Sequence, residues 1–370
     1  MHNKGFLIAM KKIIFTICIF VLTGCTLHIQ DRDAWTAFWN EDSTLVGFKD
    51  QNGQIRIEPT YSGSFTSARK FDKIIAVMEE GESRQETFYL TKTGKKAGRG
   101  SIYFFDNTPD CESEGYIRFR DRKTDLVGLL NSNGEIAIPA QYNDLTNVRN
   151  GYVAALKGAT KKCLDGDKNS GCEHFQWDGG IEYFIDTNNR IIIEHFQYDA
   201  TLNFYSLRIG TEPDRDANRR SFRGADGRYY SFIDYKNEFQ LWLDSTLLKS
   251  LSKETIIDNS YPKIYFWKEP DGWRMEASLE FINRNSDLLK SRLALLRQGR
   301  AEYSVSMDGL NPLIYEADDF DSYYNNCGEP KEWEYPVLSL IINHTTGRDF
   351  FQDYFEFLRT TDGYKLISVN

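Results

Sequence analysis

Two cysteines in this 370-residue sequence have the spacing that most directly suggests chemistry. Cys163 and Cys172 stand nine residues apart in CLDGDKNSGC, a stretch rich in Gly, Asp and Asn. Such a loop bends freely, so the two thiols can meet and form a disulfide that stabilises the fold by roughly 2–3 kcal/mol. His174 follows two residues after Cys172, which allows a zinc site with Cys163 as an alternative. Structural zinc sites usually have two paired ligand clusters, and the disulfide is therefore favoured.

The same stretch offers a second metal alternative, calcium. Asp165, Asp167 and Asn169 alternate as the ligands of a calcium loop do. However, Ser170 stands where that loop needs Gly, and Gln176 stands where it needs Glu. A loop closed by a disulfide is the simpler interpretation, and we predict no metal and no cofactor.

Catalytic patterns are missing from the sequence. The histidines after residue 24 have neither nucleophile-elbow nor metalloprotease spacing, and no phosphate-binding or dinucleotide-binding motif is present. These histidines are His28, His174, His195 and His344. We therefore predict that the protein is not an enzyme and name no catalytic residue. An enzyme with an unrecognised site in the C-terminal half stays an alternative.

The first 25 residues have the layout of an export signal. Lys11 and Lys12 precede an apolar run over 13–22, which is too short for a bilayer span of about 20 residues. Its length suits the apolar region of a signal peptide. The run ends in LTGC at 22–25, which resembles the lipobox of bacterial lipoproteins. The resemblance implies cleavage before Cys25 and lipidation of that cysteine.

The lipobox resemblance also predicts a compartment. Thr26 stands where Asp would retain a lipoprotein at the inner membrane under enterobacterial-type sorting, so we predict the outer membrane of a bacterial cell envelope. Residues 1–24 would be the signal peptide and 25–40 a tether, with the lipid as the membrane anchor. Export favours disulfides, and Cys111 and Cys327 can either pair with each other or stay free.

The charge of the chain excludes one class of partner. The whole chain carries a formal net charge of −9, and loss of the three lysines in residues 1–24 would make it −12. Because an acidic surface repels phosphate backbones, nucleic acid is not a predicted partner.

A repeated segment is the main feature of the first half of the sequence. LVGFKDQNGQIRIEPTY at 45–61 and LVGLLNSNGEIAIPAQY at 126–142 run in register at an offset of 81 residues. Weaker copies occupy 87–96 and 182–199, and the last copy follows an insertion at 158–180. A period near 40 residues is typical of repeat arrays, in which stacked copies bury the apolar face that one hairpin cannot bury alone.

Each copy has the pattern of a β-hairpin. Ile55 and Ile57 alternate with polar residues, which predicts a strand with one buried face. Asn52-Gly53 before that strand favours a type I′ turn with two positive φ angles, and 133–138 repeats the pattern. Related tails, EGYIRF and NGYVAAL, follow the second and third copies.

These copies resemble WG repeats, whose pattern runs Trp-Gly, an apolar pair, Asp or Asn, a Gly turn, alternating apolar residues, Pro and Tyr-Asp. The matching residues are Gly47, Asp50, Gly53, Pro59 and Tyr61, then Gly128, Asn131, Gly134, Pro139 and Tyr142, then Asp186, Tyr198 and Asp199. The position of the eponymous Trp is taken by Val46, Thr87, Val127 and Glu182, so the repeats are diverged. The resemblance covers about 40–210 and implies an interaction module without a catalytic motif.

The pattern changes near residue 220. A helical stripe is predicted in 237–251, formed by Phe239, Trp242, Leu243, Leu247 and Leu251. A strand is predicted over 273–281, a helix over 285–299, a strand over 336–343 and a hairpin over 349–370 that turns at Asp362-Gly363. This order predicts an α+β domain, and its final hairpin resembles that of nuclear transport factor 2-like domains.

The predicted protein is therefore mainly β: an array of about four WG-like β-hairpin repeats over 41–215, followed by a smaller α+β domain over 220–370. The favoured function is a non-enzymatic, lipid-anchored interaction scaffold with a protein partner at the cell envelope. A cell-wall or glycan-binding lipoprotein is the alternative that the aromatic content suggests. Phe175 and Trp177, beside the predicted disulfide loop, are the predicted partner contact, unless Trp177 packs into the array.

Overall fold

The computed structural model describes residues 33–81, 85–163, 175–316, 318–346 and 349–370. They form a mainly β protein, as predicted. The predicted signal peptide, Cys25 and Cys172 lie outside the described residues. Within the described ranges, no helix is long and apolar enough to cross a membrane.

Each repeat is a three-stranded antiparallel meander and not the predicted two-stranded hairpin. Repeat 1 (35–62) and repeat 2 (74–97) share one sheet, in the order β4-β1-β2-β3-β5-β6-β7. Its strands are β1 (Trp35–Trp39), β2 (Leu45–Lys49), β3 (Ile55–Ser62), β4 (Lys70–Phe71), β5 (Ile74–Glu80), β6 (Gln85–Thr91) and β7 (Lys96–Ala97). β1 lies within the tether predicted over 25–40 and pairs with β2, so the first meander includes part of that range; the bounds of the tether stay a prediction.

Repeat 3 (116–142) and repeat 4 (152–194) have sheets of their own. A short hairpin, β8 (Phe104–Phe105) and β9 (Thr108–Pro109), precedes repeat 3. Repeat 3 comprises β10 (Tyr116–Arg120), β11 (Val127–Asn131) and β12 (Ile136–Tyr142). After β13 (Asp144–Leu145), repeat 4 comprises β14 (Tyr152–Lys157), β17 (Ile181–Asp186) and β18 (Ile191–Glu194), and its insertion forms a separate hairpin, β15 (Thr160–Cys163) and β16 (Phe175–Asp178). The tails read from the sequence are therefore the first strands of the next repeats.

A glycine fixes the register of the second strand in repeats 1 and 3. Val46 pairs with Tyr61 while Phe48 pairs with Ile57, so the third strand carries two extra residues opposite Gly47. A Cβ on Gly47 would lie 2.4 Å from the Ile57 carbonyl oxygen. Gly128 has the same relation to Ile138, also at 2.4 Å. The bulge leaves no space for a side chain at this position.

The hairpin turns carry one positive φ angle and not two. Gly53 has φ 75°, and its N–H donates to the Asp50 carbonyl at 2.9 Å. The Asp50 carboxylate also accepts from the backbone N–H groups of Asn52 and Gln54, at 2.9 and 3.0 Å. This is a type I turn followed by a left-handed residue, which corrects the predicted type I′ turn. The side-chain oxygens of Asn131 and Asp186 likewise accept from the backbone N–H groups two and four residues later.

Hydrophobic clusters lie between successive sheets and hold the array together. Alternate residues of one strand point to different neighbours: Val153 packs on repeat 3, whereas Ala154 packs on the following sheet. The central strands are thus buried on both faces. In the third strand, Ile138 is fully buried, but Ile136 is 63% exposed because it stands next to the turn.

The following sheet crosses the predicted boundary at 215–220. It contains β19 (Leu202–Gly210), β20 (Arg219–Arg223) and β21 (Tyr229–Asp234), with β21 in the centre. Its core joins Phe204 and Phe232 to Phe184 of repeat 4. The division into domains at 215–220 stays a prediction.

The C-terminal region combines helices with a six-stranded sheet. Asp234 caps α1 (Tyr235–Trp242), which continues through a π-helical turn (Leu243–Leu247) into α2 (Leu248–Ser250) and is followed by α3 (Lys253–Asp258). The sheet has the order β23-β22-β27-β26-β25-β24, and only its β22–β27 pair is parallel. The remaining elements are β22 (Ser260–Lys268), β23 (Gly272–Ala277), α4 (Ser278–Arg297), β24 (Glu302–Asp308), a 3-10 helix (Asp318–Tyr323), β25 (Val337–Thr346), β26 (Asp349–Thr360) and β27 (Gly363–Val369).

Two of the predicted C-terminal elements change. The strand predicted over 273–281 ends at Ala277, where α4 begins. Phe281 and Ile282 then join Leu289 and Leu293 in the core at helical spacing, so the helix starts earlier than the predicted residue 285. The final hairpin turns after Thr360, as predicted.

The long connection between β24 and β25, over 309–336, returns to the repeats. Cys327 forms a disulfide with Cys111, with a Cα–Cα distance of 6.1 Å. The Asn326 carbonyl accepts from the backbone N–H groups of Arg69 and Lys70 at 2.8 and 2.9 Å. This connection therefore brings residues of the C-terminal half against the repeat array.

Candidate functional site

A cavity of about 520 Å³ opens where repeats 3 and 4 meet the 309–336 connection. The β8–β9 hairpin contributes Phe105, the insertion contributes Trp177, and the connection contributes Glu332 and Trp333. The volume lies within the range of roughly 300–1,000 Å³ that is typical of small-molecule sites.

A buried ion pair forms one wall of this cavity. Asp110 Oδ1 accepts from Arg118 Nη2 at 2.5 Å and from Arg118 Nε at 3.1 Å. Arg118 Nη1 donates to the Leu145 carbonyl at 2.9 Å. Burial alone would lower the pKa of Arg118, but the charge and hydrogen bonds of Asp110 outweigh it and raise that pKa. Arg118 therefore stays charged, and hydrogen bonds to Asp110 and to the Leu145 carbonyl hold its guanidinium in the wall.

Tyr103 extends the wall with a directed hydroxyl group. Its Oη donates to Asp144 Oδ1 at 2.9 Å, and the Arg118 guanidinium lies 4.3 Å from its ring centre. Its backbone N–H donates to the Tyr89 hydroxyl at 2.9 Å. Burial raises the pKa of the Tyr103 hydroxyl, so this group stays a hydrogen-bond donor at neutral pH.

Arg149 is the least satisfied charged group in the cavity. It is only 7% exposed, and its Nη1 donates to the Tyr198 hydroxyl at 3.2 Å. Its guanidinium lies 4.8 Å from the Trp333 ring centre. Within the described part of the chain, Nε is buried without a hydrogen-bond partner, and Arg149 has no ion pair within 4.0 Å. Leaving such a donor unmatched costs about 1–3 kcal/mol.

Glu332 is a carboxylate of the cavity whose pKa depends on the charge of Arg149. Burial raises the pKa of Glu332, and the charge of Arg149 acts in the opposite direction. Glu182 lies on another wall, where its Oε2 accepts from the Tyr198 backbone N–H at 2.9 Å. The cavity therefore contains carboxylate oxygens that can accept hydrogen bonds, together with the Arg149 guanidinium, whose donors are only partly used.

Of the two predicted contact residues, Trp177 lies in the cavity and Phe175 lies beside it. Trp177 lines the cavity, and the Phe175 ring packs against it edge-on at 5.1 Å. Lys161 Nζ lies 4.5 Å from the Phe175 ring centre and 2.6 Å from Asp125 Oδ2. Both aromatic rings are half-buried, and neither belongs to a hydrophobic core cluster of the described residues. The arrangement is not that of a Trp packed into the array.

The other sequence candidates lie elsewhere or outside the described residues. Cys163 is disulfide-bonded, but Cys172 lies outside the described residues, so the predicted Cys163–Cys172 pair stays a prediction. The zinc and calcium alternatives fall largely on 164–174, also outside them. In the described ranges, no group of three or more His, Cys, Asp or Glu side chains is arranged to hold a metal ion. His344 Nε2 is hydrogen-bonded to Asp353 Oδ2 at 2.7 Å, and neither residue lines the cavity.

Most residues of the cavity could not be identified from the sequence. Arg118 carried a usable signal, because a charged residue stands between Ile117 and Phe119 in a strand buried on both faces. Arg149 and Trp333 carried none, since they lie 184 positions apart and meet only through the 309–336 connection.

The architecture is that of a β-repeat protein with a cavity where two repeats meet its C-terminal connection. The family model described as "WG containing repeat" matches residues 128–159 and 184–206. The two stretches fall largely in repeats 3 and 4, and they include Asp144, Arg149 and Tyr198 of the cavity. Among curated proteins, no significant match to this chain is found.

Proposed function

We propose that the protein is a non-enzymatic binding protein, anchored by a lipid on Cys25 in the outer membrane of a bacterial cell envelope, with the cavity as its binding site. The observation that carries this proposal is the buried Arg149, whose Nε lacks a hydrogen-bond partner among the described residues, beside Trp177 and Trp333. Unused polar groups in a concave, aromatic-walled cavity are the usual features of a binding site.

The repeat architecture supports a scaffold role. Stacked repeats form a rigid frame, because each sheet buries its faces against its neighbours. Binding residues tend to lie on loops held by such a frame. Trp177 and Trp333 both stand on segments outside the meanders, the insertion and the 309–336 connection. The sequence favours a protein partner, whereas the concave shape of the cavity favours a compact ligand.

The C-terminal region has a proposed relationship as well. Its final hairpin, β26 and β27, lies in a mixed sheet that packs against α1 and α4. This arrangement supports the likeness to nuclear transport factor 2-like domains that the sequence suggests.

The anchor is tested by mass spectrometry of the processed N-terminus. We expect a diacylglyceryl cysteine at Cys25, and we expect Cys25→Ser to release the protein from the membrane fraction. A soluble, unmodified mature form of the wild type would refute the anchor.

The binding site is tested by Trp177→Ala. We expect the variant to keep the wild-type unfolding curve, because Trp177 lies outside the core clusters of the described residues. We expect recovery of cell-envelope components by cross-linking to fall. The matched control is Trp273→Ala, which removes a Trp that is 38% exposed on β23 and does not line the cavity. Equal recovery with both variants would contradict the proposal.

A further inference from the structure

We infer that the cavity binds an uncharged, hydroxyl-rich sugar ring of a short oligosaccharide. This inference rests on the proposed function, because it names the ligand of the same site. It is carried by three properties of the cavity: its aromatic walls, its excess of carboxylates and its one incompletely used guanidinium group.

The aromatic walls suit the flat, C–H-rich face of a sugar ring. Trp177 is half-buried and held edge-on by Phe175, so one part of its ring remains open to the cavity. Phe105 also lines the cavity and is 68% exposed. Trp333 is occupied by the Arg149 guanidinium, which lies 4.8 Å from its ring centre. Trp177 is therefore the stacking surface, with Phe105 at the rim.

The charges of the cavity disfavour an acidic ligand. Asp110 and Arg118 neutralise each other in their buried pair. Arg149 is then the remaining cation of the lining, which also contains four further carboxylates: Asp144, Glu182, Glu329 and Glu332. A phosphate or an acidic peptide would enter against this excess of negative charge.

A ligand that carries only cationic groups fails for a different reason. Arg149 needs an acceptor, because its guanidinium has only donors and its charge is buried without an ion pair within the described ranges. An ammonium group is attracted by the carboxylates, but it offers no acceptor to the guanidinium. A hydroxyl group both donates and accepts, so neighbouring hydroxyls of one sugar ring can accept from Arg149 and donate to Glu332 or Asp144. An uncharged polyol is the ligand class that matches both the donors of Arg149 and the carboxylate acceptors.

The test uses the lipidated protein in detergent and three tetrasaccharide probes that differ in charge. These are N-acetylglucosamine tetramer, which is neutral, glucosamine tetramer, which is cationic, and galacturonic acid tetramer, which is anionic. Isothermal titration should show saturable binding of the neutral probe that is insensitive to salt, because no ion pair with the ligand is formed. We expect the anionic probe to bind at least about tenfold more weakly.

Variants connect the binding to the cavity. Trp177→Ala should weaken binding of the neutral probe by at least about tenfold, as loss of a central aromatic contact does. Trp273→Ala is the control and should bind like the wild type. Arg149→Gln should also weaken binding. If it unfolds, the Trp177→Ala result still decides the question.

Two outcomes would overturn the inference. One is a preference for either charged probe over the neutral one, and the other is neutral binding that Trp177→Ala leaves unchanged. If no oligosaccharide binds while Trp177→Ala still lowers recovery of an envelope protein by cross-linking, the sugar inference fails and the proposed function stands. If neither assay responds to Trp177→Ala, both fail.

Discussion

Glu112 should make the stability of this protein depend on pH near neutrality. The residue follows the disulfide-bonded Cys111 and is 8% exposed. Its Oε1 accepts from the Gly115 N–H at 2.8 Å and its Oε2 from the Lys73 N–H at 3.1 Å. Burial, helped by the charge of Asp72, raises the pKa of Glu112 from 4.5 to about 7 despite these hydrogen bonds.

The direction and size of the effect follow from linkage between protonation and folding. Because the folded pKa lies above the unfolded one, the folded state holds the proton more tightly between pH 4.5 and pH 7. The stability contributed by the protonated form is full below pH 4.5 and is lost as the pH rises through 7. A pKa difference of this size amounts to about 3 kcal/mol in total, of which about 2.5 kcal/mol falls between pH 5 and pH 8.

The assay compares the wild type with Glu112→Gln, which cannot ionise. Urea unfolding at pH 5 and pH 8 gives the free energy of unfolding of each protein. We expect the difference between the two proteins to change by about 2.5 kcal/mol over this range, with the variant gaining relative stability at pH 8. The comparison cancels every other titrating group that the substitution leaves unchanged. Glu41→Gln, at an exposed glutamate between β1 and β2, is the matched control.

One result would refute this reasoning. If the stability difference between wild type and Glu112→Gln stayed constant from pH 5 to pH 8, Glu112 would have the same pKa in both states. Burial would then not control its protonation. A slope of the same size in the Glu41→Gln comparison would assign the pH dependence to another group.

Three further predictions concern the backbone and the cysteines. Gly128→Ala should lower the free energy of unfolding by about 3 kcal/mol because its Cβ would meet the Ile138 carbonyl, whereas Gly53→Ala, with open space around it, should cost about 1 kcal/mol. Similar losses in urea unfolding would contradict this. Replacing Cys111 and Cys327 by Ser should lower stability by up to about 5 kcal/mol, since the bond closes a loop of 216 residues; an unchanged unfolding midpoint would count against it. Non-reducing peptide mapping should recover Cys163 linked to Cys172, and free thiols at both would refute that pair.

The repeats were predictable because their determinants are local. Asp50 and Asn131 each accept from backbone N–H groups two and four residues later, so a single residue sets each turn. Gly47 and Gly128 mark the same bulge, and the spacing of 81 residues between them is visible in the sequence. Local hydrogen bonds and steric exclusion leave a pattern that periodicity can detect.

Burial was predicted less well, because it depends on neighbouring sheets. Ile136 and Ile138 look equivalent in the sequence, yet one is largely exposed and the other fully buried. Trp273 and Met275 alternate as in a strand with a buried face, but they stand on β23 at the edge of its sheet and are 38% and 50% exposed. Alternation identifies a strand, whereas the elements that pack against it decide which face is buried.

The cavity could not be predicted from spacing, because its key contact joins distant parts of the chain. Arg149 precedes β14, whereas Trp333 belongs to the connection between β24 and β25. The Cys111–Cys327 bond joins that connection to the repeats six residues before Trp333. Tyr235 holds the same segment from the other side, since its hydroxyl donates to the Trp333 carbonyl at 3.0 Å. The segment that carries the Trp333 ring is therefore anchored by a covalent bond and a hydrogen bond, while Arg149 itself donates to the Tyr198 hydroxyl. Anchoring this wall before a ligand arrives reduces the ordering cost of binding.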